Sequence, residues 1–287
     1  MRTAALLLAL LALAVPTASA AEDVRTWTLK LGKQATPETV SAALDAASEV
    51  EGGALALAKA LGAASGPAAL RGLRELLRHT DREVRTEVLR SASKIGLRSE
   101  RLAASIYRSL RNAPRGPAER RAAVAALGVV GDGADMEILL HLAAPTEKDA
   151  NVRDHAFRAM AALTGKKLRF VHSRWAYWWH KQETRTFKEL QAAFAAAEAA
   201  SQTTSLAPYE MVIQQHGWID ASVTAAKLRA WLRGSRADLR IAACRAAAAL
   251  RLADLAEDIE RLTGGHGRRA VRDAAKAALV SLGALSD

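Results

Sequence analysis

The sequence predicts an all-α fold, an α-solenoid of about six stacked antiparallel helix pairs that a Trp-rich insertion interrupts. The first observation is a repeated unit, whose first residues are Val84, Glu119, Val152, Leu239 and Val271. The steps between these opening residues are 35, 33, 87 and 32 residues. All but one of these steps match the period of stacked helix pairs. The second observation is that apolar residues recur at positions 1, 5, 8, 9 and 12 of each unit, which is the spacing of one buried helix face.

The helices follow from this register. The second helix of each pair begins at an opening residue and closes on Leu, Ile or Gly, which predicts helices over 84–96, 119–131, 152–164, 239–251 and 271–283. The first helix of each pair precedes it, over 68–78, 100–112, 134–143, 222–233 and 252–263. One more pair is predicted near the N-terminus, over 39–48 and 54–63. Asp81 and Asp149 precede their helices at the position of N-caps.

The first twenty residues have the pattern of a secretory signal peptide. Arg2 precedes an apolar run over 4–15, and Ala18-Ser19-Ala20 has the small residues of a cleavage site. The run is shorter than the roughly 20 residues that a helix needs to cross a bilayer. We therefore expect an exported protein, periplasmic or secreted, that starts near Ala21.

The composition constrains the partner only loosely. The chain has 41 Lys and Arg against 30 Asp and Glu, a formal charge of +11, and removing residues 1–20 takes away Arg2 and no acid, leaving +10. This excess favours anionic partners without selecting among lipid headgroups, glycans and nucleic acid. Cys244 is the single cysteine, so no intrachain disulfide forms, and its apolar neighbours indicate a small buried hydrophobe.

The repeated unit resembles a known family. An Asp-x-x-Val-Arg opening at Asp81 and Asp149, an Ala-rich helix and a Leu/Ile-Gly close resemble HEAT repeats, especially the short bacterial type. The resemblance covers roughly two thirds of the chain after residue 20. The segment with Leu163-Thr164-Gly165, Phe170 and a Trp-x-x-Trp-Trp pattern resembles one that ends a repeat in many bacterial HEAT-repeat proteins. The resemblance implies an α-solenoid and leaves the function open.

The long 87-residue step divides the chain. We predict a signal peptide at 1–20, N-terminal HEAT-like repeats at 21–165, a Trp-rich insertion with a helix over 184–200 at 166–205, and C-terminal HEAT-like repeats at 206–287. The spacing puts Trp175, Trp178 and Trp179 on one helix face, and Tyr177 points elsewhere. The favoured interpretation is a wedge that seals the first block, because aromatic side chains bury large areas. The alternative is an exposed platform for a glycan, a peptide or an interfacial lipid.

A second set of candidate binding residues recurs at position 2 of the second helices, where stacking lines them up as a ladder: Arg85, Arg120, Arg153, Arg240 and Arg272. In HEAT repeats such arginines pair with a turn Asp of a neighbouring repeat, so the resemblance implies pairing with residues of the Asp81 or Asp149 type. Where the turn Asp is missing, contact with an anionic partner is the alternative.

No catalytic residue, metal site or cofactor is predicted. None of the seven histidines belongs to a His-x-x-x-His or Glu-x-x-His pair on a helix face, and no nucleophile or phosphate-binding motif is present. We expect a non-catalytic scaffold that binds another protein through the concave face of the second helices, along an arc on the order of 60 Å.

Two alternatives stay open. The first is a module that binds nucleic acid or another polyanion through the Arg-rich face, and the second is an accessory subunit of an enzyme. A protein partner is favoured over nucleic acid, with an anionic glycan or a membrane surface as a further partner. The sequence does not identify the partner or the oligomeric state.

Overall fold

The computed structural model describes residues 26, 29–31, 35–64, 66–112, 116–202, 204–264 and 268–285. These residues are mainly helical. No β-strand occurs within these ranges, where Arg98 and Leu252 form an isolated parallel bridge. The predicted all-α fold is confirmed. The signal peptide predicted at 1–20 lies outside the described residues.

Between residues 37 and 281, the described helices form six antiparallel pairs and a two-helix insertion. The first four pairs are α1 (Pro37–Ser48) with α2 (Gly53–Ala63), α3 (Pro67–Leu76) with α4 (Arg82–Ile95), α5 (Glu100–Asn112) with α6 (Pro117–Val130), and α7 (Met136–Ala143) with α8 (Ala150–Thr164). The insertion contains α9 (His172–Ala199) and α10 (Ala207–His216), and the last two pairs are α11 (Ala221–Arg233) with α12 (Ala237–Ala249) and α13 (Ala256–Glu260) with α14 (Arg269–Ser281). Short 3₁₀ turns, Gly133–Asp135 and Ala253–Leu255, precede α7 and α13.

Local signals start and end several helices as the sequence predicts. The carboxylate of Asp81 accepts a hydrogen bond from the Glu83 amide at 2.7 Å, and that of Asp149 accepts one from the Asn151 amide at 2.9 Å. Both residues are therefore N-caps. Gly96 and Gly165 end α4 and α8 in the left-handed conformation, with φ of 73° and 68°, which glycine adopts without steric cost.

The second helices pack tightly against one another. Val88 on α4, Leu127 on α6 and Met160 on α8 are completely buried. A Cβ atom added to Gly128 would lie 2.6 Å from the Cα atom of Ala159, so the backbones of α6 and α8 approach closely. Small residues on the buried face make this approach possible, as the Ala-rich repeat predicts.

The chain does not form one continuous arc. The first row (α1–α8) and the second row (α11–α14) run antiparallel, and the turns between pairs join them along one edge. The Gly133 amide donates to the Trp218 carbonyl at 2.8 Å, and the Arg98 amide donates to the Arg251 carbonyl at 2.8 Å. Farther along this edge, a Cβ atom at Gly66 would overlap the carbonyl oxygen of Gly283.

The expected single arc of six layers is therefore wrong. The reversal occurs at α9, whose 28 residues span about 42 Å at 1.5 Å per residue. This helix packs on α7 at the end of the first row and leads through α10 into the second row.

Three further helix predictions need correction. Helix α9 begins at His172, well before the predicted start at 184, because no capping side chain marks its first turn. The helix predicted over 252–263 is shorter, since a 3₁₀ turn takes up its start. Helix α10 was not predicted. Among the described helices, none is long and apolar enough to span a membrane.

Candidate functional site

A cleft of about 390 Å³ opens where the two rows meet, and we call it the inter-row cleft. It lies between α5, the turn before α7 and the first residues of α11. Its walls are mainly apolar and include Ala103, Tyr107 and Ile138. Four acidic residues line it: Glu100, Asp132, Asp135 and Glu137. Apolar clefts with a few convergent polar groups are the usual form of a binding site.

The turn before α7 fixes two of these acids. One Asp132 carboxylate oxygen accepts a hydrogen bond from the Ala134 amide at 2.8 Å, and the other accepts one from the Ala221 amide at 2.8 Å. The Asp135 carboxylate accepts a hydrogen bond from the Asp132 amide at 3.0 Å. Asp132 therefore caps the 3₁₀ turn and also holds the start of α11 in the second row. These bonds keep both carboxylates at the floor of the cleft.

Burial makes three of the cleft acids, Glu100, Asp132 and Asp135, harder to ionise. It raises the pKa of Asp135 to about 6, and the neighbouring Asp132 charge adds to the increase. Burial also raises the pKa of Asp132. The pKa of Glu100 is raised first by burial and then by the charges of Asp254 and Asp132. Perturbed carboxylates gathered in one cleft are typical of a functional site.

The cations close to the cleft leave this acidity only partly neutralised. Burial lowers the pKa of Arg98, while the charge of Asp132 acts in the opposite direction. One terminal nitrogen of Arg98 is buried without a hydrogen-bond partner. Arg229 is bonded to Asp258 at 2.9 Å. The cleft therefore favours a positively charged occupant by simple electrostatics.

The acids of the cleft are not arranged as a metal site. Within the described ranges, no three His, Cys, Asp or Glu side chains are placed to hold a metal ion. Both oxygens of Asp132 accept backbone hydrogen bonds, so this carboxylate acts as a fixed charge and a helix cap.

The predicted arginine ladder is built into the repeats. Arg85 pairs with Glu119 at 2.8 Å, Arg120 bonds to Glu147 at 3.3 Å, and Arg240 donates to the Gly234 carbonyl at 2.7 Å. The side chain of Glu119 is only 1 % exposed. These bonds connect neighbouring helices and turns within the repeats.

The other two arginines of the predicted ladder are Arg153 and Arg272. Arg153 donates to the Glu147 carbonyl, and Arg272 is half-buried on α14. The resemblance implies pairing with Asp81 or Asp149, but these two carboxylates cap helices. Four of the arginines bond instead to glutamates or carbonyl oxygens: Arg85, Arg120, Arg153 and Arg240.

The Trp-rich segment packs inward, as the favoured interpretation predicts. Trp175 is completely buried and Trp179 is 2 % exposed, while Trp178 is half-buried beside them. The Trp179 ring lies 6.2 Å from that of Trp218, and its Nε1 donates to Glu137 at 2.9 Å. The buried rings therefore form a wedge between α7 and α9 and do not offer a platform. Tyr177 points outward, as predicted, and is 63 % exposed.

Sequence analysis missed the four acids of the inter-row cleft. They come from α5, the turn before α7 and α7 itself, and α11 closes the cleft only because the two rows meet. One local signal was available, because Asp132 and Asp135 have the spacing of a capping box. Each side chain accepts a hydrogen bond from a backbone amide at the opposite end of the turn. That pattern would have identified the turn but not the cleft.

Comparison with known proteins gives little guidance. The sequence matches no protein-family model, and no curated protein matches it significantly. Similar solved structures include human deoxyhypusine hydroxylase in complex with glycerol, with 15 % identity, a TM-score of 0.33, and coverage of 92 % of this chain and 97 % of that one. Two engineered proteins are 19 % identical, with TM-scores of 0.29 and 0.28; the matches cover 91 % of this chain and 98 % and 96 % of theirs. At these TM-scores the likeness supports no conclusion about activity.

Proposed function

We propose that this chain is a non-catalytic binding protein that takes a basic segment of another protein into the inter-row cleft. The observation that supports the proposal is the convergence of four acidic side chains on a mainly apolar cleft, in a chain whose net charge is +11. A basic protein that gathers acids at one cleft has there a local field opposite to that of its whole surface.

The dimensions and the lining of the cleft suit long basic side chains. A cleft of about 390 Å³ is near the lower end of the range for ligand sites and holds one or two side chains. The methylene stem of a Lys or Arg packs against Ala103, Tyr107 and Ile138, while its charged head reaches a carboxylate. Charge-assisted hydrogen bonds to Glu100 or Asp135 would then fix its position.

The alternative of a polyanion partner has less support at this site. The acids of the cleft repel phosphate and sulfate groups, and Arg85, Arg120, Arg153 and Arg240 are bonded to glutamates or carbonyl oxygens. An accessory role in an enzyme complex would use the same cleft for docking and remains an alternative. Export is a prediction from residues 1–20, and a periplasmic or secreted scaffold agrees with it.

The concave face of the second helices, expected from the sequence, is a weaker candidate. One groove between second helices, that of α12 and α14, is lined mainly by Ala side chains with Ile241. Its charged residues are Arg245 and Asp273, of opposite sign, so they select no partner by charge. The inter-row cleft is therefore the site that we propose.

Calorimetric titration tests the proposal with a defined probe, a capped hexapeptide of alternating Lys and Ala. The probe is added to the chain that starts at Ala21, in about 50 mM salt so that screening stays modest. Because the protein is strongly basic, its net charge disfavours non-specific binding of the peptide, and we expect saturable binding with one peptide per chain. A capped hexapeptide of alternating Glu and Ala should show no saturable binding that depends on the cleft acids.

Variants then locate the site. The double variant Glu100→Gln, Glu137→Gln removes two charges from the cleft and should weaken binding at least about tenfold. The matched control, Asp154→Asn with Glu183→Gln, removes two charges from exposed positions on α8 and α9 and should leave the affinity unchanged. Absence of binding, or an equal loss in both double variants, would overturn the proposal.

A further inference from the structure

The segment that leads into α9 is basic and free of acids. Between residues 166 and 181 the chain has five Lys and Arg residues and no Asp or Glu. All five are exposed: Lys166, Lys167, Arg169, Arg174 and Lys181. None of the bonds of the arginine ladder or of the inter-row cleft uses them.

The same segment exposes large apolar side chains. Phe170 is 47 %, Val171 42 % and Tyr177 63 % exposed. Among the described residues, three of the eight exposed large hydrophobic side chains therefore lie within eight consecutive positions. Single exposed apolar residues are ordinary, whereas a cluster of them marks an interaction surface.

This surface is held in place by its buried side. Trp175 and Trp179 anchor the first turns of α9 in the core, so the helix turns Tyr177 outward, with Arg174 and Lys181 beside it at i−3 and i+4. The Lys181 ammonium lies 4.4 Å from the centre of the Tyr177 ring. The Phe170 ring is stacked on that of Phe157 on α8, with 5.2 Å between their centres.

We propose that Phe170, Val171 and Tyr177, with the five exposed basic residues of the same segment, dock this protein on an anionic membrane surface. We call these eight residues the basic-aromatic surface. Aromatic and aliphatic side chains enter the boundary between headgroups and acyl chains, and basic side chains beside them contact lipid phosphates. Charge complementarity selects anionic lipids. Transfer of the exposed apolar side chains from water into the bilayer interface adds to the binding free energy.

A soluble polyanion fits this surface less well. A sulfated glycan or a nucleic acid would use the five positive charges, but it would leave Val171 and much of Phe170 in water. A bilayer removes both apolar side chains from water and satisfies the charges together. The proposal goes beyond the protein-binding function and uses a different surface from the inter-row cleft.

Vesicle flotation tests the docking directly. The chain that starts at Ala21 is used, because the apolar run at 4–15 would itself bind lipid, and this chain keeps every described residue. It is mixed with vesicles of phosphatidylcholine alone or with about 30 % phosphatidylglycerol. We expect flotation with the anionic vesicles, little with the neutral ones, and a decrease as salt is added.

Matched variants separate the proposed surface from the general basicity of the chain. Lys166→Glu with Lys167→Glu should weaken binding at least about tenfold. Lys59→Glu with Lys276→Glu makes the same charge change at exposed positions on α2 and α14 and should cost much less. Tyr177→Ser should weaken binding about threefold or more, because its ring no longer enters the interface.

For the aromatic side chain, Met211→Ser is the control, since Met211 is 56 % exposed on α10 and lies outside the surface. Circular dichroism checks that each variant keeps the helical content of the parent. Three results would overturn the proposal: no flotation with anionic vesicles, equal losses in both lysine pairs, or retention of dextran sulfate without any vesicle binding.

Discussion

Replacing Asp135 by Asn tests the electrostatics of the inter-row cleft. Burial raises the pKa of Asp135 from its ordinary value of 3.8 to about 6. The folded protein therefore binds this proton more tightly than the unfolded chain does. The cost of the buried charge is complete above about pH 6 and disappears as the pH falls towards 3.8.

The size of this cost follows from the two pKa values. The difference between about 6 and 3.8 corresponds to about 3 kcal/mol, as an upper value. Asp135 is half-buried, so solvent screening reduces the cost to about 1–2 kcal/mol. The Asn amide oxygen can still accept the hydrogen bond from the Asp132 amide, so the turn before α7 is kept.

Urea unfolding followed by circular dichroism measures the effect. At about pH 7.5 we expect Asp135→Asn to raise the free energy of unfolding by about 1–2 kcal/mol, and at about pH 4.5 only about a third of this gain should remain. Asp154→Asn, on the exposed face of α8, is the control and should show neither effect. A loss of stability at pH 7.5, or a gain that does not depend on pH, would refute the reasoning. The same variant should bind the Lys-Ala peptide more weakly, as should the parent protein below about pH 6.

Two further variants test the joints of the fold. Gly133→Ala puts a Cβ atom onto the carbonyl oxygen of Ile219, so it should lower the free energy of unfolding by about 1–3 kcal/mol. Gly264→Ala is the control, because no atom lies within 4 Å of its added Cβ, and it should change the free energy of unfolding little. Equal effects of the two variants in urea unfolding would contradict the close contact between the rows. Arg85→Met removes the ion pair with the buried Glu119 and should cost about 3–5 kcal/mol, and adding Glu119→Gln should recover part of this loss. A single variant as stable as the parent would show that the pair is not buried as described.

The sequence predicts the helices well because the pattern that specifies them is local. The second helix predicted over 152–164 is observed as Ala150–Thr164, and its cap Asp149 was identified from spacing. Apolar periodicity reports which face of a helix is buried, whichever element covers it. For the same reason it does not report which distant element that is.

The apolar periodicity does not predict that the array of helix pairs reverses its direction. Several of the contacts that join the two rows are backbone hydrogen bonds, such as those of Arg98 with Arg251 and of Gly133 with Trp218. Any residue except proline offers these groups, so they leave no signature in the sequence. The 87-residue step showed where the repeat is interrupted, but not that the chain turns back there.

The candidate site shows the same limit. The arginine ladder was predicted as a set because its members recur at one position, while their partners Glu119 and Glu147 have no such regularity. The acids of the inter-row cleft come from separate parts of the chain, and they meet only after the rows pair. Trp179 was placed in the core by its size, yet its bond to Glu137 depends on the contact between α9 and α7.

A crystal structure of the chain with the bound Lys-Ala hexapeptide tests the central claim most directly. The account predicts a lysine side chain in the inter-row cleft, with its ammonium group within hydrogen-bond distance of Glu100 or Asp135 and its stem against Tyr107. A peptide bound on the second-helix face, or anywhere that leaves the cleft empty, would contradict it.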